Sequence, residues 1–285
     1  MLAATPAFAH GGQAHPGRAA WTFDPWIIAS LLLAGAAYGL GLVRLRLKRR
    51  SWSAVHRWRA ASYAAGWLAL AGALLSPLHG LGEHLFTFHM IEHEIIMAVA
   101  APLLALARPV GVALWSLPRR ARRALASGGR VARSLWRHLT TPRNATIIHA
   151  VALWIWHAPL LLETALNQPG LHRLQHLSFF GSAILFWWAL LRRADPGAAT
   201  GHVFVTMLHM SGLGALIALS PRLLYPVQTA EALRWGLTPL EDQQLAGLLM
   251  WVPAGTVYAA AALVFARMWI TRSSQSWRQP HALPG

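Results

Sequence analysis

Residues 85–107 read LFTFHMIEHEIIMAVAAPLLALA, an apolar run that carries His89, Glu92, His93 and Glu94 in its first half. As a helix rising 1.5 Å per residue it reaches about 35 Å, enough for a hydrocarbon core about 30 Å thick. A segment in that core has to satisfy its own backbone hydrogen bonds, which a helix does. His89 and His93 then stand one turn apart on one face, with Met97 a further turn along. Ionisable side chains in hydrocarbon are costly and by default mark a functional site.

Outward from this stretch, similar apolar runs recur at 25–43, 60–76, 145–166, 171–191, 202–219 and 245–270. With 55% hydrophobic and only 12% charged residues, the 285-residue chain reads as all-α: a polytopic membrane bundle of about seven transmembrane helices. In a soluble protein the formal net charge of +16 would suggest nucleic acid. Here the basic residues fall in blocks between spans, as Arg44 to Arg50, the long connection 108–144, Arg192 with Arg193, and Arg267, Arg272 and Arg278. All of these blocks share one side if the N-terminus is outside and the C-terminus cytoplasmic, so topology replaces nucleic acid as their explanation. The expected organisation is a leader over 1–24, a bundle over 25–272 and a cytoplasmic tail over 273–285, in the cell's inner (plasma) membrane.

Residues 1–9 end in Ala7-Phe8-Ala9 before His10-Gly11-Gly12, like the cleavage end of a signal peptide, but without a basic segment or a full apolar core. A truncated signal and a chance match both fit. Cleavage would leave His10 at the outer N-terminus, with His15 nearby. Within 110–139, Trp115, Leu125, Val131, Leu135 and Trp136 alternate with arginines, which reads as an amphipathic stretch on the inner leaflet or as a cytoplasmic docking surface.

Threading the spans through a bilayer brings five histidines to similar depth in the outer half. His89 and His93 enter with the third span, His157 leaves with the fourth, and His172 and His176 enter with the fifth on one helical face. Met207, His209 and Met210 lie deeper, and the last span begins with Asp242 and Gln243 and carries Met250. With no cysteine in the chain, imidazole, thioether and carboxylate are the available ligands. That set suits copper or zinc, and methionine near histidine favours copper, particularly the reduced ion. Met90, Met97, Met207, Met210 and Met250 also read as ordinary packing residues. His56, His138, His149, His202 and His281 fall at the inner ends of spans and read as interfacial. His79, Glu83 and His84 read as a solvated outer loop or as an entrance for a cation.

The run from His89 through His93 into Ala101-Pro102-Leu103-Leu104 and Arg108-Pro109 resembles a signature of the CtaG family of membrane cytochrome c oxidase assembly factors. So do Trp154-Ile155-Trp156-His157-Ala158-Pro159, Leu171-His172-Arg173-Leu174-Gln175-His176 with Phe186-Trp187-Trp188, and Asp242-Gln243-Gln244 with Met250-Trp251-Val252-Pro253. The resemblance implies a non-enzymatic, multi-span protein needed to form active haem-copper oxidase. Its expected partners are oxidase subunits, the lipid bilayer and periplasmic copper chaperones, and its expected cofactor is a copper ion, with zinc the other choice. As metal-site residues it carries over His89, His93, His157, His172, His176 and Asp242. Glu92, Glu94 and Arg108 depart from the family's usual residues, which makes any role of Glu92 local to this sequence.

On this reading His89, His93, His172 and His176 hold the ion and His157 is a further ligand or a neighbour of one. Asp242 orients an imidazole through its second nitrogen or supplies charge at the mouth. Transfer to the oxidase proceeds by ligand exchange. Two readings from other classes stay open: a haem-binding electron-transfer protein with axial imidazoles, and an intramembrane zinc peptidase built on His89-x-x-Glu92-His93.

Overall fold

The structure is a computed structural model that describes residues 21–48, 53–126 and 129–278. The leader's Met1–Ala9 pattern, His10, His15 and His281 lie outside the described residues. Among the described residues every regular element is helical.

α1 (Pro25–Lys48) and α2 (Ala54–Leu75) are followed by the short α3 (Pro77–Gly82). α4 (Phe86–Glu94) runs through a π-helical segment (Ile95–Ala100) into α5 (Ala101–Ala107), together one span over Phe86–Ala107. Pro102 brings no N–H to the ladder, which is the local reason the preceding turn widens. α6 (Pro109–Ala113), a 3₁₀ turn (Leu114–Ser116), α7 (Arg119–Ala126) and α8 (Arg130–Leu139) form the basic connection. α9 (Pro142–Trp156) and α10 (Pro159–Asn167) precede α11 (Pro169–Arg192), α12 (Pro196–Ala218), a 3₁₀ turn (Ala232–Trp235) and α13 (Pro239–Arg278).

Among the described residues five helices are long and apolar enough to cross a membrane, and the α9–α10 pair makes a sixth if its two arms count as one span. The expected straight span over 145–166 is instead bent by 74°. The break falls at His157-Ala158-Pro159, because a residue before proline is driven out of the helical region and Ala158 is extended (φ −63°, ψ 125°). α2 has the length of a span, with 22 residues. His56, Arg57 and Arg59 in its first two turns, with Ser62 and Tyr63, leave it short of the apolar content that the other spans carry.

Helix contacts here are made by small residues. α12 and α13 form the most extensive pair. At their crossing a Cβ on Gly247 would lie 2.4 Å from the Ala218 nitrogen, and one on Gly214 would lie 2.8 Å from the Trp251 nitrogen. Close backbone approach of this kind supplies the dispersion energy that drives helix association where lipid removes the hydrophobic term. α1 is tied on by Tyr63 and Trp67, which donate to the Ala34 and Leu31 carbonyls at 2.9 and 3.0 Å. The core of α4, α5, α9, α11, α12 and α13 includes Met90, Met97, Met210 and Met250, each at most 2% exposed. Four of the methionines named as possible ligands thus pack in the hydrophobic core.

His149 differs from expectation. It is fully buried, with Nδ1 3.1 Å from the Ser182 hydroxyl and Nε2 3.5 Å from that of Tyr258. It sits four residues inside Ala145, where α9 already packs against α11 and α12.

Candidate metal centre

α4 and α11 each present two imidazoles at four-residue spacing. Ring centroids are 4.2 Å apart for His89 and His93 and 4.5 Å for His172 and His176. The helices bring the pairs together: His93 is 5.2 Å from His176, and His89 is 5.7 Å from His172. His79, on α3, joins them at 5.8 Å from His172 and 5.9 Å from His176. α3 can lie this low because Gly82 has no side chain; a Cβ there would be 3.2 Å from the His89 Cα.

Glu92 lies inside the same group, 1% exposed. Its Oε1 is 2.8 Å from His79 Nδ1 and 3.7 Å from His176 Nδ1, and its Oε2 is buried without a hydrogen-bond partner. For His79, on a helix outside the spans, burial works against the charged form, but the hydrogen bond and charge of Glu92 outweigh it and raise the pKa. Sequence reasoning read His79 as part of a solvated outer loop or a cation entrance, and gave Glu92 a role only in the zinc-peptidase alternative. The available signal was the carboxylate itself, placed between two histidines in an apolar run.

His157 caps α9 at the break, across the Phe179 ring from His93; Phe179 is 5.8 Å from His157 and 4.7 Å from His93. Its Nδ1 donates to the Leu153 carbonyl at 2.7 Å, which leaves Nε2 as the lone-pair nitrogen. That Nε2 is buried and unpartnered, as are His89 Nε2, His176 Nε2 and both ring nitrogens of His93. Buried polar atoms cost free energy when unsatisfied, so a cluster of them points to a ligand. Among the described residues, however, no group of three or more His, Asp or Glu side chains has its donor atoms arranged to hold a metal ion. The rings gather without converging on a point.

Asp242 is placed elsewhere. Its carboxylate accepts from Phe86 N (2.8 Å), Thr87 N (3.0 Å) and the Thr87 hydroxyl (2.6 Å). The N-cap residue of α4, Leu85, makes no side-chain cap bond, and Asp242 on α13 performs that task across the helix interface. Its hydrogen bonds therefore go to the first turn of α4, not to an imidazole. Asp242→Ala would strand buried donors and lower stability by about 2 kcal/mol. We expect a fall in the midpoint of thermal unfolding that Asp242→Asn restores in part.

The segment 220–238 crosses above the histidines. Tyr225 donates to the His157 carbonyl at 2.7 Å and Gln228 to the Gly82 carbonyl at 2.8 Å, while Val227 N donates to Glu163 at 2.9 Å. Glu231 pairs with His84 at 2.8 Å, on the exposed edge. The Tyr225 hydroxyl pKa is pushed up to about 12 by burial and then by the charge of Glu163. It stays a donor over the physiological range.

Among the described residues, an all-helical protein with five or six candidate membrane spans and a buried cluster of imidazoles and one carboxylate, roofed by 220–238, is the class defined here. Residues 36–272 match the cytochrome c oxidase caa3 assembly factor family (Caa3_CtaG), and the chain belongs to it. It is also similar to uncharacterized proteins of Mycobacterium leprae (25% identical, 81% of this chain and 36% of the relative) and Mycobacterium bovis (26%, 81% and 36%). The chain thus spans about a third of the length of these curated relatives. No solved structure matches it.

Proposed function

We propose that the chain binds one copper ion in the histidine chamber and hands it to a haem-copper oxidase during assembly. The single observation that supports this reading is the gathering of His89, His93, His172 and His176 from two helices into one buried cluster beside the Glu92 carboxylate. His157 and Glu92 are the next donors in reach, and rotations of imidazoles about χ1 and χ2 would turn lone pairs inward. Glu92 would offset the charge of the ion in a medium where an uncompensated cation is costly. In this reading α1, α2, the Phe86–Ala107 span, α9 with α10, α11, α12 and α13 are seven spans with the N-terminus outside, and the chamber opens toward the outer side. Transfer by ligand exchange requires no covalent turnover.

Anaerobic loading of the purified protein with Cu(I), followed by elemental analysis, tests the reading: bound copper near one per chain is expected. A metal-free protein, or a stoichiometric Soret band, would sink it. In cells lacking the chain, the isolated oxidase is expected to be short of copper.

The roof predicts the route of admission. The chain has no cysteine, so His84→Cys with Glu231→Cys gives a unique thiol pair. Closing it with a short cleavable cross-linker should slow copper loading at least about tenfold by holding the roof shut, and cleavage should restore it.

A further inference from the structure

Among the described residues, the helices α7 and α8 carry a dense run of exposed arginines. No acidic residue occurs anywhere between Ile95 and Leu162, so the arginines of these two helices have no counter-charge within their own stretch of chain. Arg119, Arg120, Arg123, Arg130, Arg133 and Arg137 are all exposed. At 100° per residue, Arg130, Arg133 and Arg137 fall on one face of α8, while Val131 and Leu135 fall on another. In α7 the arginines likewise occupy one side, and Leu125 lies opposite. Those apolar side chains are exposed too: Val131 81%, Leu125 60% and Leu135 56%.

Both helices are tied to the ends of the spans by aromatic and hydrogen-bond contacts. The connection leaves α5 through α6 and the 3₁₀ turn and rejoins at Pro142, the start of α9. Trp115, just before α7, lies under the Arg122 guanidinium at 4.1 Å and the Lys48 ammonium at 5.2 Å, and Trp136 of α8 stands against Trp188 of α11 at 5.2 Å. The Arg193 guanidinium of the turn after α11 donates to the Arg137 carbonyl at 3.5 Å.

We propose that α7 and α8 are a binding surface for anionic phospholipid, their arginines on headgroup phosphates and their leucine and valine side chains in the acyl boundary. An acidic soluble protein would neutralise the arginines and leave Val131 and Leu125 facing water. A neutral bilayer would take the apolar side chains and leave six guanidiniums unpaired. A leaflet carrying negative headgroups satisfies both faces at once, and guanidinium binds phosphate in bidentate fashion. The surface is separate from the histidine chamber, and the inference does not depend on what the chamber holds.

The test places one cysteine at Val131→Cys, labels it with an environment-sensitive fluorophore, and reconstitutes the full chain in bilayers of phosphatidylcholine with or without phosphatidylglycerol at about one third. The anionic bilayer should shift emission to the blue and increase quenching by lipids brominated on the acyl chain about twofold or more. High salt should reverse part of the change, since attraction at the surface is screened within a Debye length. A variant with Arg119, Arg120 and Arg123 each changed to Gln should respond less, with its helix content unchanged by circular dichroism. Equal emission and quenching in both bilayers would overturn the proposal. A water-exposed label in every bilayer would overturn it as well and leave an acidic protein as the partner.

Discussion

His93→Ala and His176→Ala should each lower copper bound to the purified protein by about a hundredfold in affinity. Removing groups that only orient a ligand costs 10–100-fold in metal binding, and a direct ligand costs at least the upper end of that range. The two rings make the shortest contact between α4 and α11 among the histidines, 5.2 Å, and His176 is the imidazole of α11 within 3.7 Å of Glu92. For His93 the fold is not expected to suffer, because neither ring nitrogen makes a hydrogen bond and the loss of unsatisfied buried polar groups offsets the packing lost. Titration with a Cu(I) chelator of known affinity reads the effect, and thermal unfolding without copper checks the fold. Unchanged copper affinity in both variants would remove the chamber from any role in metal binding.

Gly247→Leu should have the largest effect on stability, about 3 kcal/mol or more. The first added carbon meets backbone, not a movable side chain: 2.4 Å from the Ala218 nitrogen and 2.7 Å from the Gly214 carbonyl oxygen. α12 and α13 would have to separate, and the seat of Asp242 on α4 would move with them. Gly212→Ala on α12 is the control, since a Cβ there has nothing within 4 Å; removing a helical glycine should be neutral or stabilising by about 0.5 kcal/mol. Denaturation in detergent micelles distinguishes the two, and equal midpoints would contradict the packing described.

The helical character and the pairing of His89, His93, His172 and His176 were legible in the sequence because both follow from periodicity: apolar length gives the span and four-residue spacing gives the shared face. The 74° break was legible only in part. Pro159 announces it, but a proline at the start of a run can equally begin a straight helix, and the 145–166 stretch reads as one. His149 and Asp242 escaped for another reason. Both are defined by partners distant in the chain, Tyr258 for one and Thr87 for the other, and spacing along a single helix carries no record of what a neighbouring helix offers. Glu92 was visible as a carboxylate within an apolar run, yet its tie to His79 depends on a six-residue helix folding down over α4.

The 40 residues of α13 reach about 60 Å, twice the thickness of a hydrocarbon core. Its first turn grips the first turn of α4 through Asp242. Pro253, which contributes no N–H, offers a flexing point further along. Because Asp242 holds Phe86 and Thr87, a displacement of the near half of α13 passes to the start of the helix that carries His89 and, a turn further on, His93. A partner seated on α13 could therefore shift the imidazoles without touching them.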